Sequence, residues 1–287
     1  MLRSFLLMVC LCFTISVFAQ THSYEFGFQS DNDSFLAAGS DRYYTNGLFV
    51  FLRHGLSINP ADSAKLKNKV LGFELGQKIF NPRSGSVLSP QLIDRPFAAY
   101  LYAGSSLNYL YSNESNLKFS AQIGVVGPDA LGKQAQNVIH DTFGFYTLNG
   151  WEYQVENSFQ LNLAAEYNRL LARTTGADIS LNTYGRLGTG FSGAGAGVLI
   201  RLGDFNQLFN SVSTQSTAIK NRGFAPLEKR EFFFYIKPLL NYVAYDATIE
   251  GSLFGKNVNS NSQEVTLTRK PIVFMQQFGI SYGGSRW

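Results

Sequence analysis

The chain is short of cysteine, histidine, proline and charge: among 287 residues there are two Cys, three His and eight Pro, and Asp, Glu, Lys and Arg together make up 15%. Soluble domains carry about 25% charged residues. Cys10 and Cys12 both lie in the first twenty positions. The rest of the chain therefore has no thiol for a disulfide framework, a thiolate metal site or a cysteine nucleophile. After residue 19 no apolar run approaches the 18 residues that would mark a membrane-spanning helix. The 24 Lys and Arg against 20 Asp and Glu give a formal charge of +4, spread without the basic stripe that nucleic acid requires. No Gly-x-Ser-x-Gly elbow of a serine esterase is present.

What is abundant is apolar and aromatic. Hydrophobic residues make up 45% and aromatics 15%, with 25 Phe, 15 Tyr and 27 Gly, too much apolar surface for a disordered chain. Residues 1–19 open on a short basic segment, continue as an apolar run from Phe5 and end on small residues near Ala19. This is the pattern of a secretory signal peptide cut after Ala19, and the run is too short for a spanning helix. The expected organisation is a signal peptide at 1–19 and one domain at 20–287.

Along that domain the hydrophobicity alternates. Leu117, Phe119, Ala121, Ile123 and Val125 oppose Lys118, Ser120, Gln122 and Gly124, and Phe159, Leu161, Leu163 and Ala165 oppose Gln160, Asn162 and Glu166. Period-2 patterns of about ten residues are strands, long enough to cross a bilayer when tilted. A soluble sandwich would bury the apolar face, whereas a membrane barrel turns it to lipid. Export, the lack of cysteine and aromatics at strand ends (Tyr43-Tyr44, Tyr100/Tyr102, Tyr109/Tyr111, 232–235) favour the barrel. The expectation is an all-β, transmembrane, antiparallel up-and-down β-barrel of about twelve strands, both termini periplasmic. The first six strands are placed near 22–30, 45–54, 70–78, 97–111, 116–126 and 151–171. Outward loops then fall at 31–44, 79–96 and 127–150, while the polar segment 204–229 has no assigned side. The segment 129–143 predicts a short helix in an extracellular loop, capped by Asp129 and ended by Gly144. Its apolar stripe is Leu131, Ala135, Val138 and Ile139, beside a polar stripe of Lys133, Gln136 and His140.

Three polar clusters converge on these loops. Asp31-Asn32-Asp33, read alone, is an ordinary turn. The first cluster continues as Asp41-Arg42-Tyr43-Tyr44-Thr45-Asn46-Gly47; the second holds the polar pair Gln77-Lys78 and Asn81-Pro82, then Asp94-Arg95-Pro96-Phe97-Ala98; the third holds His140, then Gly150-Trp151. In this order the set resembles the lipid A 3-O-deacylase family of outer-membrane proteins, with Phe97 where Tyr is usual. The resemblance implies a twelve-stranded barrel, an active site between the wall and a loop helix, and Ca²⁺-dependent hydrolysis of the 3-linked acyl ester of lipid A. It also implies lipopolysaccharide in the outer leaflet as partner. Carried over residue by residue, it gives Asn32 and Asp33 as metal ligands, Thr45 and Lys78 as catalytic partners, and His140 as the base that activates water. The family's Glu after that His, a further metal ligand, falls on Glu152, with Glu156 as the alternative.

The residue chemistry agrees. Ester hydrolysis needs a base and positive charge at the developing oxyanion. Imidazole exchanges a proton near neutral pH, and Asn and Asp oxygens suit a hard cation. The competing expectation is a monomeric barrel with another role, in lipid binding, structure or as a small pore.

Overall fold

Among the described residues the alternating segments become ten antiparallel strands, each paired with its neighbour in sequence. They are β1 Tyr24–Asn32, β2 Tyr43–Gly55, β3 Leu66–Asn81, β4 Ala98–Tyr111 and β5 Ser115–Val126. The second half contains β6 Ser158–Thr174, β7 Ala177–Gly188, β8 Phe191–Asp204, β9 Glu231–Asp246 and β10 Ile272–Gly283. This computed structural model describes residues 22–32, 43–220, 224–255 and 262–284, so the expected signal peptide lies outside the described residues. The fold is an up-and-down antiparallel barrel sheet, as expected. Ten strands occur among the described residues, against the expected count of about twelve. Strands reach 17 residues in β6 and 16 in β3 and β9, and the described residues of 205–230 and 251–271 add none. Residues 151–157, expected in the sixth strand, form a single 3₁₀ turn and a connector instead.

The register shows which way each face points. Leu48, Gln77, Leu101, Val125 and Phe159 occupy one cross-strand row, and paired residues of a ladder share a face. Large apolar groups on that face are exposed: Phe73 51%, Leu75 57%, Ile123 54%, Phe159 70%. The opposite face is polar and enclosed. Tyr102 donates its hydroxyl to Glu74 at 2.6 Å, and Asn162 Nδ2 donates to Tyr100 at 3.0 Å. Apolar outside and polar inside is the inverse of a soluble sandwich and the arrangement of a membrane barrel. No helix among the described residues is long and apolar enough to cross a membrane.

Residues 205–219, between β8 and β9, turn into the lumen at the end opposite the helix. Asn68 Nδ2 donates to the Ser216 carbonyl at 2.7 Å, Asn108 Nδ2 to that of Thr214 at 3.0 Å, and Lys118 Nζ to Gln215 Oε1 at 3.1 Å. The segment is pinned by Arg201, which is fully buried. Its guanidinium donates to both Asp178 oxygens at 3.0 and 2.6 Å and to Ser211 Oγ at 2.8 Å. A buried guanidinium is tolerated only when its donors are met in this way. The segment is a plug.

Candidate active site

At the other end of the barrel the outer wall is covered by protein. Ile79, Val87, Ile93, Phe97 and Trp151 form a hydrophobic core there, distinct from the lumen core around Phe49, Tyr100 and Tyr102. Helix α1, Gly132–Phe143, follows a 3₁₀ turn at Pro128–Ala130 and stands on β3 and β4. The expected helix 129–143 is thus shortened. Leu131, with φ 59°, occupies the N-cap, and Asp129 does not. Gly144 ends the helix in the left-handed conformation, φ 70°, as expected. Gly132 makes the close approach possible. A Cβ there would stand 2.4 Å from Ala99 Cβ and 2.9 Å from Trp151.

The helix buries Gly132, Gln136 and His140, spaced by four residues on one face. The apolar stripe does not meet the wall as a unit, because Leu131 and Val138 are exposed and only Ala135 and Ile139 are half-buried. Lys133, placed on the stripe of Gln136 and His140 by sequence, is exposed. Gln136 faces inward because a buried partner waits for it: Trp151 Nε1 donates to Gln136 Oε1 at 3.1 Å.

His140 is 5% exposed. Its Nδ1 lies 2.8 Å from the Tyr146 carbonyl. A carbonyl only accepts, so Nδ1 carries the hydrogen and the neutral ring keeps its lone pair on Nε2. The rings of Phe145 and Tyr146 meet the imidazole edge-on at 5.5 and 4.9 Å. The ring is held in one tautomer by the chain that follows the helix.

Across the same outer face runs the row Asn46, Ile79, Ala99, and the β1 backbone at Asn32 pairs with Asn46. Thr45 is the extra residue of a bulge between Tyr44 and Asn46, a device that re-aims a side chain. It is buried, and its hydroxyl donates to the Ile79 carbonyl at 3.3 Å. Asn81, two residues beyond Ile79 on β3, is fully buried with neither amide atom hydrogen-bonded. Gln77 Nε2 ties the wall to the helix approach by donating to the Ala130 carbonyl at 2.6 Å.

The other sequence candidates lie elsewhere. Lys78 alternates with Gln77 and Ile79 and so faces the lumen, its Nζ 5.8 Å from the Phe49 ring and 5.9 Å from that of Tyr102. The structure does not bring it to the face that carries α1. Asp31 is also on the lumen side, accepting from Tyr44 Oη at 2.6 Å. Glu152 is exposed and accepts from its own turn, the Gly150 N–H, at 3.1 Å. Asp33 lies outside the described residues. Arg95, from the loop before β4, lies over Phe80 and donates to Thr248 Oγ1 at 2.9 Å. Burial pulls its guanidinium down to about 10, opposed by Asp246. Gln136, Trp151 and the Tyr146 carbonyl are the site groups whose roles sequence reasoning missed. The spacing of Gln136 four residues before His140 was the available signal.

The donor set can be tested for calcium. The described outer-face groups at the end of β2 and β3 are neutral oxygen donors (Thr45, Asn46 and the unpartnered Asn81 amide), which fit a hard cation in kind. No cluster of three or more His, Cys, Asp or Glu occurs among the described residues, and Asp33 lies outside them.

Comparison with known proteins places this geometry in context. A family model described as outer membrane protein LpxR matches residues 6–287. The solved structure of LpxR from Salmonella typhimurium is similar, with a TM-score of 0.68 and 22% identity, covering 91% of this chain and 88% of that one. No curated protein matches.

Proposed function

Because the chain belongs to the family of outer membrane protein LpxR, we propose that it is an outer-membrane lipid A deacylase that hydrolyses the 3-O-linked acyl ester. The observation that carries the reading is His140, held between helix and wall with Nδ1–H on the Tyr146 carbonyl and Nε2 as its basic atom. In this reading Nε2 takes a proton from water as the water oxygen attacks the ester carbonyl. The same nitrogen then returns the proton to the departing sugar oxygen. The products are a free fatty acid and lipid A with one hydroxyl uncovered. Tyr146 keeps the base in its working tautomer throughout, as the second-nitrogen hydrogen bond does in other histidine bases. The Thr45 hydroxyl donates to Ile79 and keeps its lone pairs to accept from water. Calcium, when bound by Asn32 and Asp33, supplies Lewis-acid polarisation of a carbonyl. Lys78, on the lumen face, is assigned no step.

The protein is read as a monomer in the outer membrane, with both ends of the described chain periplasmic and α1 in the outer leaflet facing lipopolysaccharide. The pore reading is disfavoured because the plug fills one mouth of the lumen. Mass spectrometry of lipid A from cells with and without the protein tests the reading. Loss of one 3-linked acyl chain is expected, and identical spectra with the protein folded in the outer membrane would refute it. Asp33→Ala should reduce turnover and weaken its response to added Ca²⁺; full wild-type activity after exhaustive chelation would remove calcium from the reading.

A further inference from the structure

Helix α1 has three faces. At about 100° per residue, Gly132, Gln136 and His140 span one sector, and that sector is buried against the wall. On one flank stand Lys133, Gln134, Asn137 and Asp141, all exposed and all polar. On the other stand Val138, 65% exposed, and Leu131 just before the helix, 49% exposed, with Ala135 and Ile139 half-buried between them and the wall, and Thr142, whose hydroxyl is turned back to the Val138 carbonyl at 2.6 Å. A helix lying on a soluble protein shows water one polar face. This one shows two different faces to two different surroundings.

The apolar flank is not isolated. Phe143 and Phe145 at the helix end are 69% and 50% exposed, and Leu88 and Leu92 in the loop beside it are 83% and 70% exposed. All six side chains are attached to segments that cover the outer wall, the wall whose own surface is Phe73, Leu75 and Ile123. A patch of this kind exposed to water is a liability, and here it continues the lipid-facing belt of the strands. An apolar sector beside a polar one is what a helix lying in a membrane interface requires.

The geometry points to a second membrane-contact surface: Leu131, Val138, Phe143 and Phe145, with Leu88 and Leu92, sit among the hydrocarbon chains of the outer leaflet, while Lys133, Asn137 and Asp141 face the headgroups and water. The inner sector with His140 is then held at the boundary between acyl chains and sugar. The ester linkages of a lipid lie at that depth. The substrate therefore reaches His140 sideways, within the leaflet, without leaving the membrane. This delivery step rests on the deacylase reading; the membrane contact does not.

Two measurements separate the parts. Nitroxide labels are placed on Val138→Cys, Asn137→Cys and, as a strand control, Leu75→Cys, in nanodiscs of lipopolysaccharide and phospholipid, with the unmodified chain reporting background labelling. Accessibility to oxygen and to a water-soluble nickel chelate is then read by electron paramagnetic resonance. The label at 138 should match that at 75, open to oxygen and closed to nickel, and the label at 137 should show the reverse. Equal nickel access at 138 and 137 overturns the proposal, and so does a label at 138 closed to both, which would mean that protein covers the flank. The double variant Leu131→Asp with Val138→Asp should lose at least about tenfold activity on membrane-embedded lipid A and keep its rate on a short-chain ester dissolved in detergent. Equal loss on both substrates overturns lateral delivery. A wild-type protein that shows the expected depth but deacylates neither substrate removes the deacylase reading and leaves the membrane contact standing.

Discussion

At the scale of single residues, His140 and Gln136 show why a buried polar side chain needs a partner. Trp151 gives its indole hydrogen to Gln136, and both are buried. Replacing Gln136 with Leu leaves that donor unpaired, at a cost of about 1–3 kcal/mol. Urea unfolding in lipid vesicles should show a loss of that size, and no loss would mean that the bond contributes nothing. His140→Asn probes chemistry instead. Asn is smaller but polar, and can still donate to the Tyr146 carbonyl, so the barrel should insert normally. Turnover should fall roughly 10²-fold or more, the usual scale for a lost general base. A folded variant with the wild-type rate would make His140 a structural residue of the helix. The histidine and its polar neighbours were legible because they stand out in a chain with three His. The tautomer was not, because it depends on the Tyr146 carbonyl, six residues on and across a turn. Nor was the placement of Lys78. Gln77 and Lys78 read as one polar pair, and only the register shows that the wall separates them.

At the scale of elements, strands were easier to read than the helix for a physical reason. A strand in a barrel has two faces in unlike media, so its sequence must alternate, and the alternation at 117–125 and 159–165 is realised in β5 and β6. Strand ends and number were harder, since polar lumen residues continue into loops without a change in composition. Helix α1 is harder to place because its hydrophobic stripe does not mark its protein contact. On most surface helices such a stripe packs on the core, yet this helix meets the wall through glycine, glutamine and histidine. Gly132 is the element's hinge of contact. Gly132→Val places carbon where Ala99 and Trp151 already stand, and overpacking of this kind costs about 1–3 kcal/mol. The helix should lift from the wall and take His140 with it. The expected result is strongly reduced turnover in a barrel that still folds, with Trp151 fluorescence shifted to longer wavelength. Unchanged emission and activity would show that the helix is not held at this point.

At the scale of the whole molecule, the two ends of the barrel differ. One end carries α1 and the candidate site on its outer face; the other is stopped from inside by residues 205–219. Sequence composition could not assign the segment 204–229 a side, since a run rich in Asn, Ser and Gln suits a solvated loop as well as a lumen of polar side chains. Its hydrogen bonds to Asn68 and Asn108 settle its position. Small barrels are nearly filled by their own side chains, and the plug removes a path through what remains. Its anchor is a buried ion pair: Arg201 and Asp178 are 2.6 Å apart with both side chains fully enclosed, and Arg173 reaches the same carboxylate at 3.0 Å. Removing one partner of a buried pair costs about 3–5 kcal/mol where nothing replaces it; here Glu231, 3.8 Å from Arg201, replaces it in part and the loss should be smaller. In Asp178→Ala the weakened pairing falls on Arg201, the residue that also holds Ser211 of the plug. The guanidinium can regain solvation only by moving, and the plug must loosen with it. Planar-bilayer recordings should therefore show little conductance for the wild-type protein and discrete openings for Asp178→Ala. Equal conductance in the two, with both folded as judged by heat-modifiable migration on unboiled gels, would mean that this ion pair does not hold the lumen shut.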